Sequence, residues 1–256
     1  MIKIIVDDSY EGAMNMALDM VLAERCLQQK ISILRIYEWK VPTLSVGKHQ
    51  KVDNIDWEFL SKEGIDIVRR PTGGRAVLHK NEFTYSFSTF SSNKNLPSDI
   101  LGSYKKISHA LIESLKNLNI YATLETSKNQ CLTKDICYDA SSLYEIKVNG
   151  KKFIGSAQYR TKDFIIQHGS IPLKIDYDRY IRCFKYSHPD LIKEKIKKTV
   201  IDLCTIKNTI ISKKELAESF KIGFGLIFNE QIIFSSLEID EIEKANNIKE
   251  TFEIHL

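Results

Sequence analysis

The chain has 256 residues, of which 43% are hydrophobic and 27% are charged, and its net charge is +4. This balance can bury a large core and excludes an intrinsically disordered chain, and we expect no nucleic-acid partner. No uninterrupted apolar run reaches the roughly 18 residues that cross a bilayer, so we expect a cytoplasmic protein without a membrane partner.

The number and spacing of the cysteines argue against two common structural uses of this residue, disulfide bonds and zinc binding. There are five, an odd number, and no two of them form C-x-x-C. Such a scattered set favours neither a disulfide framework nor a thiolate zinc site, so any functional cysteine is expected to act as a free thiol. The five are Cys26, Cys131, Cys137, Cys183 and Cys204.

The first half of the chain predicts a helix followed by strands. Residues 12–29 place apolar side chains such as Met14, Leu18 and Val21 at spacings of three and four, which is typical of an amphipathic helix. Short β-rich runs follow, separated by Pro, Gly and polar turns. These predicted strands cover residues 31–38, 43–47, 65–69, 76–79 and 83–90.

A long helix and a meander are predicted next. The helix, of about 20 residues, is expected to begin near Pro97 with Ser98 as its N-cap. Residues 144–173 predict three consecutive antiparallel strands, because Asn149-Gly150 supplies a tight first turn and residues 161–163 supply the second.

From about residue 176 the chain is predicted to be mostly helical. Its clearest helix covers 212–227, with Ser212 as N-cap and Glu215 at the capping-box position. Strands and helices do not alternate regularly, so we predict an α+β fold, with a mixed, largely antiparallel sheet and packed helices in one domain of residues 1–256. The basic run 193–199 is either a solvated helix face or a docking site for an acidic carrier protein.

The densest candidate segment is 69–79, RRPTGGRAVLH. Paired glycines allow a backbone to approach a ligand closely, and the arginines offer forked donors to carboxylate or phosphate oxygens. The alternative is a simple turn with solvated arginines. The segment matches neither the Walker pattern nor the dinucleotide-binding pattern.

Two further segments carry reactive side chains. Cys137 lies in a polar stretch, 135–142, where a nearby cation could hold its thiol ionised, although Cys131 is an equal candidate by type and either could be buried filler. In a regular strand from Lys152, that lysine shares a face with Ile154, Ser156 and Gln158, while Gly155 leaves room for a substrate.

The alternative for Lys152 is an exposed lysine on a hairpin. Two histidines flank these segments, His79 at the end of the glycine loop and His168 in the third strand of the meander. With Cys137 they could in principle form a mixed zinc site, but no short ligand spacing supports one.

Together these segments resemble the lipoate-protein ligase and octanoyltransferase family, which shares its catalytic fold with biotin-protein ligases. The resemblance also includes 15–19 (NMALD), 39–47 (WKVPTLSVG), 151–160 (KKFIGSAQYR) with 167–170 (QHGS), and 220–225 (FKIGFG), so ordered motifs cover nearly the whole chain.

The glycine loop separates two branches of that family. Ligases that form an acyl-adenylate typically read R-R-x-[ST]-G-G-G-A-V-[FY]-H-D, whereas this chain has Arg75, Leu78 and Lys80 in place of the third glycine, the aromatic residue and the acid. We also expect no extra C-terminal domain of the kind that many such ligases carry. The chain is more similar to octanoyltransferases of the type first described in Gram-positive bacteria, in which a cysteine precedes a P-S-x-Y-E-like stretch; here 141–145 reads SSLYE, without the proline.

The resemblance implies roles for particular residues. Cys137 would be the nucleophile that accepts the acyl group, and Lys152 its partner, whose ammonium favours the thiolate and the developing negative charge. The other residues implied to bind substrate around the acyl head are Arg70, Thr72, Gly73, Gly74, His79 and His168, with Gly155 giving room on the strand.

The implied activity is ping-pong transfer of octanoyl from octanoyl-acyl carrier protein to Cys137 and then to a lysine of a lipoyl domain, with the glycine cleavage H protein as the expected acceptor. A thioester already stores the activation, so neither ATP nor a metal is expected as cofactor. Three alternatives stay open: an ATP-dependent lipoate-protein ligase, an amidotransferase between lipoyl domains, and a non-catalytic module that binds an acyl group or a lipoyl domain. Acyl chain length, the acceptor and the oligomeric state are not determined by the sequence.

Overall fold

The computed structural model describes residues 1–126, 144–209 and 211–255, and it contains two β-sheets with helices packed around them. The strands are β1 (Ile2–Tyr10), β2 (Ser32–Trp39), β3 (Thr43–Val46), β4 (Asp66–Arg69), β5 (Val77–His79), β6 (Glu82–Phe90), β7 (Thr123–Thr126), β8 (Tyr144–Val148), β9 (Lys151–Arg160), β10 (Phe164–Pro172) and β11 (Ile232–Ser235). The helices are α1 (Gly12–Gln29), α2 (Trp57–Lys62), α3 (Ile100–Asn117), α4 (Tyr177–Arg182), α5 (Pro189–Thr199), α6 (Leu203–Lys207), α7 (Lys213–Phe228) and α8 (Ile239–Ile248), followed by the 3-10 turn Lys249–Phe252.

The larger sheet has eight strands in the order β11-β1-β2-β6-β10-β9-β8-β7. Strand β1 runs parallel to both of its neighbours, and every other pair in this sheet is antiparallel. The smaller sheet, β4-β3-β5, has one parallel and one antiparallel pair. The predicted α+β fold with a mixed, largely antiparallel sheet is therefore confirmed.

The two faces of the larger sheet are covered by different helices. Alternate residues of β6, among them Phe83, Tyr85 and Phe87, point into a core shared with Phe220 and Phe224 of α7, because successive side chains of a strand face opposite ways. Each such ring contributes roughly 1.5–3 kcal/mol by leaving water. Helix α3 packs beside α7 on this face, and α1 covers the opposite face.

Most predicted elements are present. The helix predicted at 12–29 is α1, the predicted strands correspond to β2 through β6, and the capping box of α7 forms between Ser212 and Glu215. Strands β1, β7 and β11 were not predicted. The N-cap of α3 was predicted wrongly: its cap is Asp99 rather than Ser98, and the Asp99 carboxylate accepts a hydrogen bond from the backbone N–H of Gly102 at 2.7 Å.

The predicted meander is β8, β9 and β10, and its first turn has the positive φ angles expected of Asn149 and Gly150, 52° and 73°. The strand alternation, however, breaks near its start. Ile146 of β8 pairs with Ile154, whereas the next residue, Lys147, pairs with Lys152, so one extra residue of β9 forms a bulge.

The bulge corrects the prediction that Lys152 shares a face with Ile154, Ser156 and Gln158. Ile154 belongs to the core, Ser156 accepts a hydrogen bond from Tyr85, and Gln158 reaches α3 through Ser103, so these three face the helices α3 and α7. The Lys152 side chain instead runs along the other face, on the side of Gly155.

Strands β7 and β8 form the far edge of the larger sheet, and their last pair is Thr126 with Tyr144. The predicted nucleophile Cys137 and the alternative Cys131 both fall between these two residues, outside the described part of the chain. Among the described helices, none combines the length and apolar character needed to cross a bilayer.

Candidate active site

A cleft lies where the edge of the smaller sheet meets the α1 face of the larger one. It offers about 380 Å³ of space between side chains, its open mouth included. Apolar walls come from Met16 of α1, Tyr37 and Trp39 of β2, and Val77 of β5. A cleft with this apolar lining suits a mostly apolar ligand.

Six of the predicted site residues meet at this cleft. Arg70, His79, Gly155 and His168 line it. Thr72 is fully buried behind His168, and Lys152 lies against Gly155. The other two, Gly73 and Gly74, are exposed on the loop outside the cleft, where they border a separate surface depression with His49 and Lys51.

The arginines of the glycine loop are used within the protein. Arg69 donates to the backbone carbonyls of Gly47, Lys48 and Gln50. Arg70, 5% exposed, makes five hydrogen bonds to acceptors of the loop and of Ser45. These guanidinium groups therefore shape the loop, which differs from the predicted role of offering forked donors to a ligand's anionic oxygens.

Two backbone segments touch at the loop. A Cβ added to Gly47 would lie 2.0 Å from the carbonyl oxygen of Gly74, so no larger residue fits at position 47 without moving the loop. Gly74 itself has a φ of +94°, which other residues rarely adopt. The loop therefore depends on glycine for its close approach as well as for its turn.

His79 is held on three sides. Its Nδ1 lies 3.0 Å from the Glu82 carboxylate, its Nε2 lies 2.8 Å from Ser45 Oγ, and Trp39 stacks on the ring with centroids 3.9 Å apart. Burial lowers the pKa of His79; Glu82 opposes this shift, and Arg70 adds to it. The ring is therefore a fixed part of the cleft wall that resists protonation.

His168, like His79, has a hydroxyl at its Nε2 and a carboxylate at its Nδ1. Its Nε2 lies 2.7 Å from Thr72 Oγ1, and its Nδ1 lies 3.4 Å from the Asp19 carboxylate. Asp19 also accepts hydrogen bonds from Arg35 and from the hydroxyl of Tyr37. The imidazole is thus connected to a buried ionic cluster beneath α1.

That ionic cluster centres on Arg35, which is fully buried. Its Nε donates to Asp7 at 2.7 Å, and its other nitrogens donate to Asp19 and to the side-chain and backbone oxygens of Asn15. The ring of Tyr37 lies 4.0 Å from the guanidinium carbon. A buried charge needs such a complete set of partners, because an unpaired one is very costly.

Lys152 of β9 lies beside the cleft, against its lining residue Gly155. Its side chain is 4% exposed, and its ammonium lies 2.9 Å from the Glu145 carboxylate. A Cβ placed on Gly155 would lie 3.3 Å from Lys152 Cε and 3.8 Å from Nζ. The absence of a side chain at Gly155 is what allows the lysine stem to pass there.

Several residues of the site were not predicted from the sequence. Asp19 carries a signal in the sequence, since it is an acid within the apolar pattern of α1, and Glu82 follows His79 by three residues. Trp39 and Ser45 lie in the segment 39–47 that supports the family resemblance, but no role was predicted for either, and Arg35 carried no signal. Their roles depend on which strands are neighbours, and that order cannot be read from local patterns.

Comparisons with known proteins agree on one family. Residues 11–225 match the family model described as the lipoyl protein ligase A/B catalytic domain. An octanoyltransferase LipM of Carboxydothermus hydrogenoformans is 37% identical over 245 residues, covering 94% of this chain and 91% of the relative. An octanoyltransferase LipM of Bacillus subtilis is 34% identical over 252 residues, covering 93% and 90%.

Solved structures share the fold. The bi-partite lipoate protein ligase of an archaeal lipoylation system, from Thermoplasma acidophilum, superposes with a TM-score of 0.79 at 19% identity, covering 97% of this chain and 91% of that one. A lipoate-protein ligase A bound with ATP gives a TM-score of 0.78 at 19% identity, covering 97% and 94%.

Proposed function

The chain belongs to the lipoyl protein ligase A/B catalytic family and is a transferase enzyme; from this membership we propose that it transfers octanoyl from acyl carrier protein, through a thioester on Cys137, to a lysine of a lipoyl domain. The relatives named octanoyltransferase support octanoyl transfer in protein lipoylation. The donor, the thioester and the glycine cleavage H protein as acceptor are the further content of the proposal.

The observation that carries the proposal is the position of Lys152. Its ammonium is buried and paired with Glu145, and its stem lies over Gly155, which lines the mostly apolar cleft. A positive charge at such a place stabilises a thiolate and the oxyanion of an acyl-transfer intermediate more strongly than it could in water. The cleft walls then surround the acyl chain.

Chain length allows Cys137 to reach that ammonium. Cys137 is seven positions before Tyr144, and a chain of that length spans at most about 25 Å. Lys152 lies opposite Lys147, one strand across and three residues along β8, which is roughly 11 Å from Tyr144. The nucleophile and its proposed partner are therefore within reach of each other along the chain.

The first half-reaction exchanges one thioester for another. The Cys137 thiolate attacks the octanoyl carbonyl on the carrier's phosphopantetheine, a new C–S bond forms, and the carrier leaves as a thiolate that takes up a proton. In the second half-reaction a neutral lysine amine of the lipoyl domain attacks, a C–N bond forms, the C–S bond to Cys137 breaks, and the nitrogen gives up a proton as the thiolate is restored. No ATP is consumed, because each step starts from a thioester.

The surface beside Lys152 carries exposed lysines, whose positive charge suits an acidic donor protein. The basic run 193–199 forms the second half of α5, on which Lys195 and Lys198 are exposed. This helix adjoins the start of β9, where the Lys151 ammonium donates to the Lys197 carbonyl and the Ile201 N–H donates to the Lys152 carbonyl. The predicted basic helix face therefore lies beside the start of β9, the strand that carries Lys152.

The proposal is tested by mixing the purified protein with octanoyl-acyl carrier protein, without ATP, and weighing it intact. We expect the mass of one octanoyl group on the wild type and none on Cys137→Ala, with Cys131→Ala as the matched control that stays acylated. Adding a lipoyl domain or the glycine cleavage H protein should then move the octanoyl group to the acceptor. Mass gain that survives Cys137→Ala would refute the thioester.

The same assay separates the alternatives. Ligation of free lipoate that requires ATP and tolerates Cys137→Ala would identify an ATP-dependent ligase. Acylation from an octanoylated lipoyl domain, but not from the carrier, would identify an amidotransferase. Binding of the octanoylated carrier without transfer to a folded acceptor would identify a non-catalytic binding module.

A further inference from the structure

Arg70 contacts two hydroxyl groups with one guanidinium. Its Nε donates to Thr72 Oγ1 at 3.1 Å, and one terminal nitrogen donates to Ser45 Oγ at 3.2 Å and to the Ser45 carbonyl at 2.9 Å. The other terminal nitrogen donates to the carbonyls of Gly73 and Arg75 at 2.9 and 2.7 Å. A guanidinium has five N–H donors and no acceptor, so both hydroxyl oxygens accept a hydrogen bond from Arg70 and donate none to it.

Each of those hydroxyls also meets a histidine. Ser45 Oγ lies 2.8 Å from His79 Nε2, and Thr72 Oγ1 lies 2.7 Å from His168 Nε2. A hydroxyl has a single proton, and in the part of the chain that the structure describes the imidazole nitrogen is the one acceptor within hydrogen-bond distance of each of these oxygens, so that proton is directed to the imidazole. Both Nε2 atoms are then acceptors and carry no proton of their own.

The opposite nitrogen of each ring faces a carboxylate. His79 Nδ1 lies 3.0 Å from Glu82, and His168 Nδ1 lies 3.4 Å from Asp19. A neutral imidazole that accepts at Nε2 carries its proton on Nδ1, where a carboxylate is the matching acceptor. The two contacts of each ring thus agree on the same tautomer.

We propose that Arg70 is a positioning residue that holds both His79 and His168 as neutral imidazoles protonated on Nδ1. The two rings then serve as uncharged walls of the cleft and not as acid–base groups of the reaction. That second statement rests on the proposed acyl transfer, whereas the tautomer assignment concerns the resting protein and can be tested without substrate.

The surroundings of the rings fit an uncharged wall. The His79 ring stacks on the ring of Trp39. The pKa of His79 is lowered, mainly because the ring is buried. The charged groups that contact the two rings or their hydrogen-bond partners come from three elements and one loop. They are Asp19 of α1, Arg35 of β2, Arg70 after β4 and Glu82 of β6, together with the hydroxyl of Tyr37 of β2 and the two imidazoles themselves.

The experiment is two-dimensional NMR of the full-length protein labelled with ¹⁵N in its histidine rings. His79→Gln and His168→Gln assign the two buried signals, and the four exposed histidines, His49, His109, His188 and His255, serve as internal references for rings in contact with solvent. Between pH 6 and 8 we expect both buried rings to show a protonated Nδ1 and an unprotonated Nε2. A protonated Nε2 or a doubly protonated ring at either position would overturn the proposal.

Single substitutions test each connection. Thr72→Val should alter the His168 pattern and leave that of His79, while Ser45→Ala should do the reverse. Arg70→Met should mix the tautomers at both rings; a folded Arg70→Met protein with both patterns unchanged would refute the role of Arg70. If Arg70→Met does not fold, the Thr72 and Ser45 variants still decide, because unchanged patterns in both would also refute it.

The catalytic part has its own readout. If the rings are uncharged walls, the pH profile of octanoyl transfer between pH 6 and 8 should keep its midpoint in His79→Gln and His168→Gln, with any loss of rate equal at all pH values. A profile whose midpoint disappears in either variant would show that the ring acts as an acid or a base. Failure of all transfer, with the NMR patterns as expected, would count against the proposed function only.

Discussion

Lys152 passes directly over Gly155, whose missing Cβ would lie 3.3 Å from Lys152 Cε. The bulge in β9 creates this contact, because it brings a residue three positions away onto the same face. In a regular strand Lys152 would face the core helices, and its ammonium would be absent from the cleft. A local irregularity of one strand therefore determines where the positive charge lies.

Substitution at Gly155 should reduce acylation more than it reduces stability. Alanine there forces the lysine stem to move by a few tenths of an ångström, and we expect about a tenfold slower gain of octanoyl mass, with about 100-fold for Gly155→Val, since misplacement of a reacting group is costly. Gly225→Ala is the matched control, because its added Cβ would lie at an ordinary 3.4 Å from Ile232. Equal rates in Gly155→Ala and the wild type would exclude this role of the glycine.

Removal of the Lys152 charge should slow self-acylation. We expect Lys152→Met to lose about 10²–10³-fold in rate, and the pKa of Cys137, followed by the pH dependence of its alkylation, to rise toward the ordinary value of about 8.5. Because Lys152→Met also leaves Glu145 without this partner, the double variant Lys152→Met with Glu145→Gln separates loss of charge from loss of folding. Unchanged alkylation of Cys137 in both variants would contradict the proposed pairing.

Two buried thiols, Cys26 and Cys183, should add little background to that measurement. Burial raises the pKa of Cys183 to about 12 and raises that of Cys26 further still, so neither should react at neutral pH. Mass mapping of the alkylated peptides checks this expectation. Rapid labelling of Cys26 in the folded protein would indicate that α1 opens more readily than its burial implies.

Arg35 should be among the most sensitive positions for stability. Its replacement by leucine leaves Asp7 and Asp19 buried without their cation, which typically costs about 3–5 kcal/mol of unfolding free energy. Urea unfolding measures the loss. Lys244→Ala, which breaks an exposed pair with Asp240, is the control and should stay within about 0.5 kcal/mol of the wild type. A similar small effect for Arg35→Leu would mean that the cluster contributes little.

Stability should fall on mild acidification because of His79. Burial lowers the pKa of this ring in the folded protein, so below about pH 6.5 the unfolded chain binds a proton that the folded chain does not. The free energy of unfolding therefore keeps this contribution above that pH and loses it progressively toward pH 5. His79→Gln should flatten the slope in this window, while the exposed His188→Gln should not; parallel curves for the wild type and His79→Gln would contradict the expectation.

Charge reversal on α5 tests the donor. Lys195→Glu with Lys198→Glu should raise KM for octanoyl-acyl carrier protein about tenfold at low salt and leave the reaction with octanoyl-pantetheine unchanged, because only the carrier protein contacts this helix in the proposal. Lys221→Glu, an exposed lysine on α7, is the matched control. An equal change for both donors, or none, would count against docking at α5.

Local patterns predicted the elements well and the side-chain partners poorly. The spacing of apolar residues gave α1, and Asn149-Gly150 gave the turn between β8 and β9, because helix periodicity and turn conformation are properties of neighbouring residues. The strands β1 and β11 were not predicted. Strand β1 is a partly buried run and β11 is short, and neither shows a clear alternation of apolar and polar residues. The N-cap of α3 was misassigned by one residue, since serine and aspartate are both good caps.

The site shows the limit more clearly. Both predicted histidines line the cleft, whereas Arg70, which was predicted to offer donors to a ligand, donates to Ser45, Thr72 and the loop backbone. The face of Lys152 was wrong because a one-residue bulge reverses alternation and leaves no mark in composition. Long-range partners such as Asp19 and His168, 149 positions apart, become visible only when the strand order is known.

Thr126 and Tyr144 are paired at the edge of the sheet, so the two described positions that flank residues 127–143 lie side by side. A two-residue turn could join these two positions without displacing any described strand. A chain shortened in this way should keep the cleft and the buried histidines while losing Cys137 and, with it, the ability to carry an acyl group in the proposed reaction.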